Sequence, residues 1–171
     1  MTNANCWAHA RRAFADAVKA ADKKDPQAVK SSVAYRALQK IAEFYSIDTG
    51  LKELPKEERL KQRQEKIQPM VEEFFAWVKQ QVSEYAVPPK SKTGQGLNFI
   101  INQEKYLKVF LTDGDVPIDN SASERAIRTF CVGKKNWMFH NTARGAEASA
   151  LVYSISETAK LNNLRPYYYF R

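Results

Sequence analysis

The chain has 171 residues, and its 27 Lys and Arg residues against 19 Asp and Glu residues give a formal net charge of +8. Its hydrophobic content of 44% excludes intrinsic disorder, and no apolar run approaches the roughly 18 residues that a membrane-spanning helix needs. Two cysteines are too few for a disulfide framework, and the first residues lack the features of a secretory signal, so we expect a cytoplasmic protein. Excess positive charge favours a polyanionic partner, most commonly a nucleic acid.

Apolar residues at helical spacing dominate the first two thirds of the chain and, with only 6 glycines, predict a mainly α-helical fold. The predicted helices cover residues 7–21, 29–44, 55–85 and 97–110. The second should end at residues 48–50, and residues 91–94 should form a loop. The third should kink or break at Pro69, because a proline inside a helix loses a hydrogen bond and clashes one turn back.

The last third of the chain has a different texture. Residues 116–120 are predicted to be extended, and a short helix around residues 126–130 should follow. Residues 131–140 are rich in aromatic and basic side chains without a helical stripe, which favours a short strand or hairpin. A final helix is predicted over residues 143–163.

The densest group of charged residues lies between residues 119 and 144, where five cations stand against two acids, Asp119 and Glu124. The cations are Arg125, Arg128, Lys134, Lys135 and Arg144. A carboxylate among cations suits metal-dependent phosphoryl chemistry, because the acid can hold a divalent ion while the cations position phosphates. The spacing of Ser121 and Glu124 also fits a capping box at a helix start, and spacing alone favours that structural interpretation. The arginines would then be ordinary solvated or locally paired charge.

Two cysteines and two histidines, Cys6, His9, Cys131 and His140, provide the side-chain types of a zinc site. Their Cys-x2-His and Cys-x8-His spacings miss the usual pairs, which disfavours zinc. Both cysteines are expected to be small core residues. His9 lies off the apolar stripe and is expected either at the surface or as a residue that supports a site residue.

Several sequence blocks resemble one protein family. They are Cys-Trp-Ala-His-Ala-Arg-Arg-Ala-Phe (6–14), Asp-Asn-Ser-Ala-Ser-Glu-Arg-Ala-Ile-Arg (119–128), Val-Gly-Lys-Lys-Asn-Trp-Met-Phe (132–139) and Ala-Arg-Gly-Ala-Glu-Ala-Ser-Ala (143–150), with residues 153–167 extending the match. In this order they look like bacterial insertion-sequence transposases of the sixty-six family. The resemblance implies a ribonuclease-H-like domain of the DDE class, in which three carboxylates hold two Mg²⁺ ions for DNA strand cleavage and strand transfer.

The resemblance also implies roles for individual residues. Glu124 falls on the third acid of the family's Asn-x-x-x-Glu-Arg motif, as catalytic residue and metal ligand, and Asn120 falls on the Asn. DNA is the implied partner, contacted by the five cations between residues 125 and 144. The residues that support the match without an assigned role are Cys6, Trp7, His9, Arg11 and Arg12.

The resemblance further divides the chain into three parts. Residues 1–21 would be the first helix of the catalytic domain, residues 22–112 a helical bundle-like insertion, and residues 113–171 the carboxy-terminal part that carries the third acid. The family's first two aspartates lie upstream of the Cys-Trp-Ala-His segment, where this chain has only residues 1–5. We therefore expect a carboxy-terminal fragment with the central sheet largely missing, which is inactive and binds no Mg²⁺ by itself.

Two other interpretations stay open. The chain could be a non-catalytic helical module for DNA binding or assembly, or a helical interaction protein whose charge only keeps it in solution. Missing strands would also leave apolar surface on the helices around residues 7–14 and 151–159, which predicts self-association through these two helices.

Overall fold

Helices make up most of the molecule. The computed structural model describes the backbone of residues 4–22, 26–137 and 142–171, with all of their side chains except those of residues 22, 26 and 134–137. Within these residues the chain contains no β-strand and no helix that could span a membrane, and the mainly α-helical fold is confirmed. In chain order the α-helices are α1 (Trp7–Asp22), α2 (Pro26–Ser31), α3 (Val33–Gly50), α4 (Lys56–Gln62), α5 (Gln68–Ser83), α6 (Lys92–Asn102), α7 (Glu104–Leu107), α8 (Ser121–Trp137), α9 (Ala143–Leu161) and α10 (Pro166–Tyr169).

The chain divides into two compact units, Met1–Asn120 and Ser121–Arg171. Helices α1 to α7 lie in the first unit, and α8 to α10 lie in the second. Compactness does not mark where a catalytic domain ends and an insertion begins. The three-part division by function therefore stays a prediction.

Trp7 lies at the centre of the first unit's core. Its side chain is fully buried, and its Nε1–H donates a hydrogen bond of 2.9 Å to the carbonyl of Leu107. Four phenylalanine rings have their centroids 5.3 to 6.5 Å from that of Trp7, and they are Phe44, Phe74, Phe75 and Phe110. Such edge-to-face contacts add to the stabilisation from burial. The core thus draws α1, α3 and α5 together around one side chain.

The predicted helix over residues 29–44 is two helices. Its apolar face is buried as expected, but the helix breaks at Ser32, whose extended backbone caps α3. The Ser32 hydroxyl oxygen accepts a hydrogen bond from the N–H of Tyr35 at 3.2 Å. Serine competes with helix continuation because its side chain can satisfy the N–H groups of a new first turn. Helix α3 then ends at Gly50, within the predicted stop.

The helix predicted over residues 55–85 continues past Pro69 without a break, but it changes from α-helical to π-helical geometry one turn before the proline. Residues Arg63–Ile67 form a π-helical turn between α4 and α5, in which the N–H of Gln68 donates to the carbonyl of Arg63. Pro69 has no N–H to give to the α-helical ladder, and its ring crowds the preceding turn. The widened turn accommodates both defects without ending the helical run.

The predicted loop over residues 91–94 is wrong. Ser91 caps α6, and its hydroxyl oxygen accepts the N–H of Gly94 at 3.0 Å, so helix begins at Lys92. Gly94 is required there, because a Cβ at this position would collide with the carbonyl of Pro88. The helix predicted over residues 97–110 is also divided, into α6, α7 and a 3₁₀ turn over Val109–Leu111.

In the second unit, α8 is longer than the short helix predicted around residues 126–130. It runs from Ser121 to Trp137, so the strand or hairpin predicted for residues 131–140 is wrong over 131–137. Residues 138–140 lie outside the described residues. The preceding segment, residues 116–120, has bends and no helix. Helix α9 covers most of the predicted final helix, and its cap is Thr142, whose hydroxyl oxygen accepts the N–H of Gly145 at 3.1 Å.

Candidate functional site

Two of the family-like sequence blocks meet within the first unit. The backbone N–H of Trp7 donates to the carbonyl of Ile118 at 3.2 Å, and the N–H of Asn120 donates to the Sγ of Cys6 at 3.4 Å. Cys6 and Trp7 are both buried. These two residues therefore hold the segment that runs into α8, the helix that carries Glu124.

A polar group adjoins this junction. The hydroxyl oxygen of Tyr45, on α3, is buried without a hydrogen bond of standard geometry. Burial raises the pKa of Tyr45 above its usual range, the Asp119 carboxylate and Cys6 raise it further, and Arg11 acts against them. Tyr45 therefore keeps its proton at neutral pH, beside an acid of one block and a cation of the other. Sequence reasoning missed Tyr45, because an aromatic residue next to Phe44 on a helix carries no chemical signature.

A buried ion pair fixes the connection that precedes this segment. Nε–H of Arg63, in the π-helical turn, donates to Oδ1 of Asp48 at 2.7 Å, and both side chains are almost completely buried. The Nη1 of Arg63 donates to the carbonyls of Phe110 at 3.0 Å and Val116 at 2.8 Å, with longer contacts to Asp113 and Gly114. The Arg63 guanidinium thus donates hydrogen bonds both to a carboxylate and to backbone carbonyls of residues 110–116.

A second arginine reinforces the same connection. Arg59 donates from Nη2 to the carbonyls of Lys52 and Leu54, both at 2.9 Å, and from Nη1 to the carbonyl of Gly114 at 3.0 Å. The planar fork of arginine suits such multiple acceptors better than a lysine ammonium would. Sequence reasoning missed this network as well.

Glu124 lies in the first turn of α8 and is exposed. Arg125 and Arg128 are exposed on the same helix, and Arg128 follows Glu124 by four residues, so these two side chains share one face. Arg144 is exposed in the first turn of α9. None of these three arginines forms an ion pair with a residue that the structure describes. Lys134 and Lys135 belong to α8, and the structure does not describe their side chains.

The other residues singled out from the sequence separate into buried and exposed sets. Cys6 is a core residue as predicted, but Cys131 is exposed, because the helix that replaces the predicted hairpin turns it to the surface. His9 is exposed as predicted, with Arg11, Arg12 and Asn120. His140 lies outside the described residues.

Metal ligation by the described residues alone does not fit a two-ion site. In the described part of the chain no three His, Cys, Asp or Glu side chains lie close enough together to hold a metal ion. Glu124 can offer one carboxylate, whereas a two-metal site requires several. The described residues therefore do not form a complete two-metal site by themselves.

The predicted apolar surface on the first helix is wrong, since Trp7, Ala10 and Phe14 are buried in the first unit's own core. In the second unit, α8 and α9 border an apolar groove of about 360 Å³, where Phe130 and Tyr153 meet edge to face at 5.4 Å. Its nine lining residues are Ala126, Ile127, Phe130, Ala150, Tyr153, Ser154, Glu157, Thr158 and Leu161. Self-association through this side of the second unit stays a prediction.

Comparisons with known proteins give one consistent result. The family model described as "Transposase IS66 family", which is the sixty-six family, matches residues 1–148. Among curated proteins, the uncharacterized protein y4hP of Sinorhizobium fredii is 32% identical over 97% of this chain and 30% of its own length. The uncharacterized protein y4qI of the same organism is 29% identical over 95% of this chain and 28% of its own length. The chain thus spans less than a third of these relatives, and no solved structure matches it.

Proposed function

Because the chain belongs to the IS66 family of transposases, we propose that it supplies the third carboxylate, Glu124, and a DNA-binding surface to a ribonuclease-H-like DDE active site in the complete protein. The family supports a role in DNA transposition. The observation that carries the finer proposal is the exposed first part of α8, where Glu124 shares one helix face with Arg128 and Arg125 is also exposed, and neither arginine has a described ion-pair partner.

The proposed roles follow from the chemistry of these side chains. An exposed carboxylate can give oxygen ligands to a divalent cation, and Mg²⁺ prefers such ligands. The other two acids that the resemblance implies would come from the rest of the complete protein, whose curated relatives are more than three times as long as this chain. Arg125, Arg128 and Arg144, with Lys134 and Lys135, would neutralise DNA phosphates and so fix the register of the strand without reading its sequence.

The first unit has a positioning role in this proposal. Cys6 and Trp7 bond to the segment that precedes α8, and Arg63 binds the connection before that segment. In the proposal, this support keeps the chain ordered up to the residue that precedes α8, the helix that carries the acid. This accounts for why Cys6 and Trp7 are buried although neither contributes exposed chemistry to the proposed site.

The deciding experiment uses the complete protein and a DNA substrate. Glu124→Gln should abolish Mg²⁺-dependent strand cleavage and leave DNA affinity within about twofold, because phosphate contacts supply most of the affinity. Glu147→Gln, at an exposed acid on α9, is the matched control and should cleave normally. Cleavage by the Glu124→Gln protein at the control's rate would overturn the catalytic proposal.

The same surface also allows a non-catalytic DNA-binding or assembly module, because exposed arginines without ion-pair partners among the described residues attract phosphate whether or not cleavage follows. Supplying the segment upstream of this chain as a separate polypeptide distinguishes the two functions. Restored cleavage supports the catalytic one. DNA binding without cleavage, when the complete protein cleaves, supports the module.

A further inference from the structure

A second cationic surface lies in the first unit, in a groove between α1 and α6 with a volume of about 280 Å³. Its charged and polar walls come from His9, Arg12 and Asp16 on α1 and from Lys92 and Gln95 on α6. Four of its lining residues, His9, Ala10, Arg12 and Ala13, belong to the first family-like block, and neither His9 nor Arg12 has a role in the proposed site.

The floor of this groove is rigid because α1 and α6 approach closely at Gly96. A Cβ at position 96 would lie 2.9 Å from Cε1 of Phe14, which is closer than carbon atoms pack. Glycine therefore allows the two helices to touch, and the longer side chains on either side form the walls. A groove held by a buried helix contact keeps its shape without a ligand.

The charges of the groove are available to a ligand. Arg12 and Lys92 are exposed, and neither forms an ion pair with a described residue. Asp16, also exposed, is the one acid among the lining residues. With His9 neutral, the lining carries two positive charges and one negative charge, so it favours an anion at its Arg12 and Lys92 side.

An aromatic ring lies beside these cations. Phe99 lines the groove and remains 38% exposed, whereas its neighbours on the apolar face of α6, Leu97 and Ile100, are fully buried. An exposed ring in one groove with exposed cations is the combination that binds single-stranded nucleic acid, because bases stack on the ring while cations follow the phosphates. A base in a duplex is already stacked and paired, so it cannot use the ring.

We propose that the groove between α1 and α6 binds an unpaired DNA strand, with Arg12 and Lys92 on its phosphates and Phe99 stacked against one base. This deepens the proposed function and rests on it in one respect, namely that the ligand of the chain is DNA. The groove would be a contact separate from the exposed face of α8.

The test measures the affinity of the chain for a fluorescent single-stranded oligothymidylate and for a duplex of the same length, over a range of salt concentrations. Arg12→Gln/Lys92→Gln should lower the single-strand salt slope by about 1.4, since each phosphate contact contributes roughly 0.7. Lys52→Gln/Lys61→Gln removes the same charge from exposed lysines outside the groove and should change the slope far less.

Two further variants test the ring and the acid. Phe99→Leu should weaken single-strand binding roughly fivefold to a hundredfold while Phe99→Tyr retains it, because tyrosine keeps a stacking face. Asp16→Asn should strengthen binding, since it removes the one negative charge of the lining. A gain of affinity cannot come from misfolding, so this variant remains informative if another one folds poorly.

Three results would overturn the proposal. In the first, Arg12→Gln/Lys92→Gln and Phe99→Leu bind like the Lys52→Gln/Lys61→Gln control. If Arg125→Gln/Arg128→Gln still weakens duplex binding in that case, the proposed function survives and only the groove is rejected. In the second, the cation variant has an effect without any effect of Phe99→Leu, which contradicts an unpaired-strand site. In the third, the wild-type chain binds neither DNA, which rejects both proposals.

Discussion

The two units treat their family-like residues in opposite ways. In the first unit, Cys6 and Trp7 are buried and serve the core, whereas in the second unit Glu124, Arg125 and Arg128 are exposed. Among the described side chains of the second unit only Ala159 is buried, while apolar residues on its helices stay exposed. The residues that match the family therefore do two different things in this chain. Some pack in the core, and others present charged groups at the surface.

This contrast has a consequence for stability. A unit as small as Ser121–Arg171 gains little from burial, and Leu151 and Leu161 are 62% and 76% exposed. The first unit, by contrast, has a continuous aromatic core around Trp7. Most of the folding free energy must therefore come from the first unit.

The largest expected effect is on amide hydrogen exchange. Amides of α5, under the aromatic core, should exchange only through global unfolding, whereas those of α9 should exchange through local openings. Mass-spectrometric exchange should therefore find protection orders of magnitude higher in α5 than in α9. Equal protection of the two helices would contradict the division of stability drawn here.

Replacement of Trp7 by alanine tests the core. Trp7→Ala should lower the free energy of unfolding by about 3–5 kcal/mol, from the cavity and from the Leu107 carbonyl that loses its donor. Trp77→Ala is the matched control, because Trp77 is only partly buried against the same core. Urea titration of both variants checks the difference. An equal loss would show that Trp7 is not the centre of the core.

A second variant of the first unit tests the buried ion pair of Arg63 with Asp48. Arg63→Met should cost about 3–5 kcal/mol, because it leaves the Asp48 carboxylate buried without its partner and frees two carbonyls. Lys56→Gln is the control, since the ion pairs of Lys56 with Asp113 and Asp115 are exposed and screened by solvent. A small loss for Arg63→Met in chemical denaturation would mean that water replaces the guanidinium.

A smaller effect is expected on the stability of the fold at acidic pH. Burial acts to raise the pKa of Glu104, but hydrogen bonds from Lys108 and Lys79 outweigh it and hold that pKa below the ordinary range of a glutamate. An acid with a lowered pKa stabilises the fold above its unfolded pKa and loses this contribution as the pH falls through the folded one. The wild type should therefore lose stability below about pH 4.5, and Glu104→Gln should lose less of it between pH 5 and pH 3. Glu53→Gln, at an exposed acid, should follow the wild-type curve.

The sequence predicts the helices well where their apolar faces are buried. The stripe through Ile41 and Phe44 and the stripe through Val71 and Phe74 are both found in the core, because periodicity reports burial directly. Periodicity fails to predict a helix boundary that is set by a local hydrogen bond. Examples are Ser32 and Ser91, whose hydroxyls cap the first turns of new helices. The predicted strand or hairpin is wrong over residues 131–137 because this part of α8 has no apolar stripe in its sequence.

The buried arginine could have been recognised. Arg63 precedes Ile67 and Val71 by four and eight residues, and Asp48 follows Phe44 by four, so both charges stand on apolar stripes. Opposite charges at core positions of two helices indicate a buried pair. The acceptors of Arg63 in residues 110–116 could not be predicted, since they are backbone carbonyls and every residue has one.

The smallest expected effect separates chemistry from folding at Glu124. An exposed carboxylate in the first turn of a helix gains about 0.3–1 kcal/mol from the helix dipole, and glutamine gives up this charge while it keeps an acceptor. Glu124→Gln should therefore lower the free energy of unfolding of the chain by less than about 1 kcal/mol, as measured by urea titration. Arg63→Met, which removes a buried ion pair of the first unit, should lower the free energy of unfolding several times more. If Glu124→Gln destabilises the chain as strongly as Arg63→Met does, then Glu124 is a structural residue. That result would contradict its proposed role as the acid of the exposed face of α8.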